Sequence, residues 1–142
     1  MKSSSNSLRL SIFSPDRKLL SRLEVSSVTL PSGEGQIQIL PGHTAMVGVL
    51  ETGIISFDRA DGQPNAQGSI STGFFEVVSN DVTILAETME LQSEIDVARA
   101  KRAQRKSEEM LGGADLDPDH FLKYQLKLQR ALIRQQLAEK NH

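Results

Sequence analysis

Four cations, Lys123, Lys127, Arg130 and Arg134, recur at intervals of three and four residues. That spacing stacks side chains on one face of an α-helix. Like charges so placed repel one another, so an anion would stabilise the face: a phosphate ligand or an acidic partner surface. The plainer use of the same residues is a solvated basic edge beside a packed seam. Arg99, Arg102 and Lys106 form a second basic group upstream. If the two segments are antiparallel arms, Arg99 near the start of one meets Arg130 and Arg134 near the end of the other. Guanidinium groups converging at one level are unfavourable without an anion, and their planar forks suit phosphate oxygens.

Other chemistry is scarce. The chain of 142 residues has no Cys, which excludes disulfides and a thiolate nucleophile. Its three histidines, His43, His120 and His142, have no metal-ligand spacing. No Walker-type glycine loop and no nucleophile elbow occurs. With no Trp and a single Tyr, stacking of bases is disfavoured, and a net charge of -2 argues against a dedicated nucleic-acid binder. The reading is therefore a non-catalytic chain that requires no metal or cofactor.

Two kinds of element must position the cations. Up to about Glu87 the pattern is one of short apolar segments: Leu8 to Ile12, Leu19 to Leu30, Ile37 to Leu40, Met46 to Leu50, Ile54 to Phe57, Phe74 to Val78 and Val82 to Ala86. Turn signals separate them, including Ser32 to Gly35, Pro41-Gly42 and a loop over Asp58 to Gly68. Such spacing predicts an all-β sandwich or flattened barrel. From Ser93 helix formers take over. Ser93 to Asp96 can form a capping box, Gly112-Gly113 stops the helix near Leu111, and Asp117-Pro118 starts another running to about Glu139. A short linker between them predicts an antiparallel two-helix hairpin. Asp96, Ala100, Ala103 and Ser107 make a small-residue strip on the first helix, which favours loosely held arms. The predicted organisation is a disordered tail over 1–7, a β-sandwich over 8–88 and a helical hairpin over 89–142. Residues 1–92 carry six basic and ten acidic side chains, residues 93–142 ten basic and eight acidic, so the hairpin is the cationic part.

Three segments together resemble the epsilon subunit of bacterial F-type ATP synthase. They are Gly35 to His43, which ends in Pro41-Gly42-His43; Thr72 to Val77 followed by Asn80 to Ala86; and Ile95-Asp96-Val97-Ala98-Arg99-Ala100. In order and spacing they cover about residues 8 to 139. Gln36 and Gln38 stand where the family often has Glu and Gly, Ala45 replaces a usual proline and Thr72 a usual glycine. The resemblance implies a sandwich of about ten strands joined to the hairpin. It implies a non-catalytic place in the central stalk of a proton-translocating rotary complex, at the cytoplasmic face of the bacterial inner membrane. The implied partners are the gamma subunit, the rotor ring and the catalytic head. The implied docking residues are Gln36, Ile37, Gln38, Pro41, Gly42 and His43 on the sandwich, with Lys123 and Lys127 on the hairpin. An extended hairpin inhibits ATP hydrolysis in this family, and in some members a folded one binds ATP as a regulatory ligand. The ligand positions carried over are Glu90, Ile95, Asp96, Arg99, Ala100, Arg130 and Arg134. Two alternatives are a free-standing nucleotide sensor and, less favoured, a basic hairpin that binds nucleic acid.

Overall fold

The computed structural model of the protein describes residues 7–113 and 116–139. Apart from Ser7, the tail predicted over 1–7 lies outside these residues, as does His142. Nine strands precede two helices among the described residues: β1 Leu8–Phe13, β2 Lys18–Ser32, β3 Gly35–Ile39, β4 Met46–Leu50, β5 Gly53–Arg59, β6 Ala66–Ile70, β7 Gly73–Val78, β8 Asp81–Ala86, β9 Met89–Leu91, α1 Val97–Gly112 and α2 Pro118–Glu139. A single 3-10 turn, Gln92–Glu94, leads from β9 towards α1.

The strands form a sandwich in which β4, β7, β8 and β1 pair in succession, as do β3, β2, β5, β6 and β9. β2 belongs to both layers, pairing with β1 through its first half and with β3 and β5 through its second. Three irregularities let it do so, one of them a register shift between Ile12 and Phe13. Leu10 faces Leu23 while Ile12 faces Leu20, so β2 carries an extra residue there. Arg22 takes φ 53 and gives its N–H to Ser11 Oγ at 3.0 Å. A further register shift lies between Val25 and Ser27 in the pairing with β5. Each bulge resets the two-residue alternation, so Leu20 and Leu23, and then Val25 and Val28, all face inward. The bulged β2 runs unbroken through the bend, and the nine strands among the described residues agree with the sandwich of about ten that the resemblance implies.

Two strands were not predicted. β6 occupies the end of the loop expected over Asp58 to Gly68, and β9 lies beyond residue 88, where the sandwich was expected to end. Both are poor in large β-branched residues. Gly68 lies opposite Leu91 in the β6–β9 ladder and a Cβ there would meet the Met89 side chain at 2.7 Å, so close backbone packing replaces side-chain bulk.

The core is made by the sandwich. Leu8, Leu10 and Ile12 of β1, Leu30 of β2, Phe75 and Val77 of β7, and Val82 and Ile84 of β8 are buried in one cluster that contains no helical residue. The outer face of β4, β7 and β8 is apolar in part. Val49 lies opposite Phe74 and Phe74 opposite Leu85, and these three are 51%, 60% and 53% exposed.

The helices form the predicted hairpin. Ala100 and Ser107 of α1 and Ala131 of α2 are buried, and Gln135 Nε2 donates to Gln104 Oε1 at 2.7 Å. Leu111, at the end of α1, shares a groove with Leu122 near the start of α2, so the arms are antiparallel. The capping box expected at Ser93 is corrected: Asp96 is the N-cap, accepting from the Arg99 N–H at 3.1 Å, while Ser93 lies in the 3-10 turn. Glu94 Oε1 accepts from the Leu91 N–H at 2.9 Å, which holds that turn and delays the helix by one turn. α2 begins as predicted, with Asp117 Oδ1 accepting from the His120 N–H at 2.8 Å. The hairpin lies folded against the sandwich, with α2 packed on β6, β5 and the 3-10 turn.

Candidate functional site

Packing α2 on the sandwich brings its basic arc against β6 and β9. Arg130 and Arg134 are one helical turn apart and therefore share this inward face. Arg134 Nε donates to Glu90 Oε1 at 2.6 Å, with the two side chains 12% and 28% exposed. This partly dry, charge-assisted bond ties the hairpin to the sandwich. Arg130 is held more weakly. Its Nη1 lies 3.4 Å from Thr88 Oγ1, which in turn donates to Ser71 Oγ at 2.9 Å. The Thr88 N–H also donates to Ser71 Oγ, at 2.7 Å, so the threonine hydroxyl is fixed in place.

Between the root of α1, the inner face of α2 and the β6–β9 edge lies a cavity of about 360 Å³. Its walls include Arg17, Arg99, Arg130 and Arg134, with Ser69, Thr88, Met89, Glu90 and Ala103. The volume is at the lower end of the range for small-molecule sites. The lining itself holds four guanidiniums and one carboxylate, that of Glu90, while Arg17 also lies 3.4 Å from Glu94 outside it. Among the described residues neither Arg99 nor Arg130 makes an ion pair. Uncompensated positive charge around a concave, partly shielded space concentrates anions.

The residues singled out from the sequence divide accordingly. Glu90, Arg99, Arg130 and Arg134 meet at the cavity. Ile95, Asp96 and Ala100 are not among its lining: Ile95 is half-buried where the 3-10 turn ends, Asp96 caps α1, and Ala100 is buried between the arms. Lys123 and Lys127 line a neighbouring cleft of about 360 Å³ beside Glu87, Ser71 and Thr72. Their ammonium groups stand 5.5 and 5.6 Å from the Tyr124 ring centroid. Gln36, Ile37 and Gln38 are on β3, which pairs with β2 on the side away from β5, at the opposite edge of its layer from β6 and β9. Pro41, Gly42 and His43 form the turn after β3. There Gly42 N–H donates to Asn80 Oδ1 at 2.8 Å and His43 N–H to the Leu40 carbonyl at 3.0 Å. Arg17, Ser69 and Thr88 are additional lining residues. No spacing in the sequence marks them, since they reach the cavity only through the docking of sandwich and hairpin. Among the described residues no cluster of His, Asp and Glu suited to a metal ion occurs, and no helix is long and apolar enough to cross a membrane.

Comparison with known proteins covers the whole described chain. Residues 7–92 match the family model for the ATP synthase Delta/Epsilon chain, beta-sandwich domain, and residues 93–139 that for its long alpha-helix domain. The ATP synthase epsilon chain of Citrifermentans bemidjiense is 37% identical over 133 residues, 94% of this chain and 94% of that relative. That of Lawsonia intracellularis is 40% identical over 111 residues, 78% of this chain and 81% of the relative. Among solved structures, a chain of the Euglena gracilis mitochondrial ATP synthase superposes with a TM-score of 0.77 at 23% identity, covering 96% of this chain and 82% of its own. A chain of the Tetrahymena thermophila mitochondrial ATP synthase central stalk and c-ring gives 0.63 at 14% identity, covering 92% and 96%. At these identities the structures testify to the fold alone.

Proposed function

The chain belongs to the Delta/Epsilon family of ATP synthase, and from that premise we propose that it is a non-catalytic central-stalk subunit whose hairpin is a nucleotide-controlled switch. In this reading the sandwich is the fixed part, docked on the gamma subunit and the rotor ring of a proton-translocating complex at the inner membrane. The exposed row Val49, Phe74 and Leu85 supports a protein-covered face, since contiguous apolar surface of this kind marks interaction sites. The Gln36 to Gln38 edge and the Pro41-Gly42-His43 turn supply further polar contacts to the rotor. Lys123 and Lys127 meet acidic surface on the catalytic head when the hairpin extends and inhibits ATP hydrolysis.

One observation carries the switch: the cavity walled by Arg99, Arg130 and Arg134 exists only while α2 lies on β6 and β9. An ATP molecule held there would bind the folded state and not the extended one. It would therefore shift the equilibrium by that difference in affinity and no more. Calorimetric titration of the full chain with ATP is the direct test. The wild type binds, and the Arg130→Ala, Arg134→Ala double variant binds at least tenfold more weakly. Equal affinity in the two proteins would refute the assigned ligand set.

A further inference from the structure

Arg17 is the one cavity arginine that the sandwich contributes from outside its β6–β9 edge. It ends the turn between β1 and β2, closed by Ser14 N–H to the Arg17 carbonyl at 2.9 Å and Arg17 N–H to the Ser14 carbonyl at 3.3 Å. With its backbone so fixed, the side chain reaches across to the root of the hairpin. There Nη2 lies 3.4 Å from both carboxylate oxygens of Glu94. Both separations are long for a charge-assisted bond, which closes to about 2.7–2.9 Å. The guanidinium is 52% exposed, and Glu94 Oε1 is already engaged by the Leu91 N–H. An exposed pair of this kind contributes little, so exchanging the carboxylate for another oxyanion is inexpensive.

We infer that Arg17 is a phosphate ligand supplied by the sandwich, with Glu94 as its counter-ion while the cavity is empty. This rests on the cavity being a nucleotide site. A polyphosphate held by Arg17 on one side and by Arg99, Arg130 and Arg134 on the other bridges the β1–β2 turn to both arms of the hairpin. The ligand then clamps the folded state directly. Glu94 competes with the phosphates for the same fork, and this gives the two members of the pair opposite roles.

Titration of the full chain with ATP separates the possibilities. Arg17→Ala is expected to weaken binding about tenfold. Glu94→Gln keeps an acceptor for the Leu91 N–H but removes the competing charge, and it is expected to tighten binding about threefold. Arg130→Ala serves as the reference for the cavity. If Arg130→Ala weakens binding while Arg17→Ala stays within twofold of the wild type, the assignment of Arg17 fails and the nucleotide site stands. If Arg17→Ala and Glu94→Gln weaken binding alike, the pair is a structural tie and the assignment fails. A wild-type chain that binds no ATP overturns the site and Arg17 with it.

Discussion

Arg130 and Arg134 share a helix face but not a task. Arg134 is committed to Glu90 at 2.6 Å, whereas Arg130 touches a hydroxyl at 3.4 Å and retains most of its donors. Arg134→Ala is therefore expected to loosen the end of α2, raising amide hydrogen exchange over residues 131–139 about tenfold, as mass spectrometry would record. Arg130→Ala leaves that protection within threefold. A different residue contributes to acid stability. Hydrogen bonding to Arg9 holds the Asp81 carboxyl below its ordinary value, and burial opposes this only in part. Because the folded value is the lower one, its stabilisation is complete above the ordinary carboxylate range and is lost as pH falls through the folded value. Melting temperatures at pH 7 and pH 3 should differ less for Asp81→Asn than for the wild type. Helical periodicity made Arg99, Arg130 and Arg134 legible, since a fixed rotation per residue puts them on known faces. It could not reveal Arg17, whose place depends on how a turn about eighty residues upstream meets the hairpin root. The sequence also put Asp96 in a capping box and Ala100 on a small-residue contact strip, and both serve the helix itself, Asp96 as its N-cap and Ala100 as a buried contact.

Elements obeyed local rules where side-chain alternation was intact and escaped them where backbone geometry intervened. β1 reads directly, its buried residues falling at every second position. β6 escapes because Gly68 and Ser69 fill two of its three consecutive buried positions, leaving Ile70 as its one bulky core residue and no alternation to read. Helix α1 starts after Asp96 because Glu94 spends its carboxylate on the preceding 3-10 turn. Close backbone approach also makes some elements brittle. A Cβ on Gly73 would lie 2.0 Å from the Leu85 carbonyl oxygen, within the β7–β8 ladder. Gly73→Ala is expected to destabilise the sandwich by about 2 kcal/mol or more, read from the midpoint of urea unfolding. An unchanged midpoint would mean that β7 and β8 can separate there without loss.

At the scale of the whole molecule, the large apolar cluster belongs to the sandwich, while the hairpin adds a few buried residues, Leu137 among them, and polar ties. The buried cluster lies wholly in the sandwich, while Arg134 to Glu90 and Gln92 Nε2 to the Leu137 carbonyl at 2.6 Å fasten the hairpin to it. A chain ending at residue 92 is therefore expected to fold with the full β signature in circular dichroism. Its loss would show that the hairpin is needed to complete the core. This division was partly legible, since charge and periodicity both change near Ser93, but the docked position of α2 was not, because polar ties between distant segments leave no periodic trace. β2 adds a mechanical consequence. Its single backbone is hydrogen-bonded to β1 on one layer and to β3 and β5 on the other. Sliding one layer over the other would tear those ladders, so a twist applied at the β3 edge reaches β1 and β8 almost undiminished. The sandwich therefore resists shear between its layers as one stiff body, a property that rests on the continuity of a single strand.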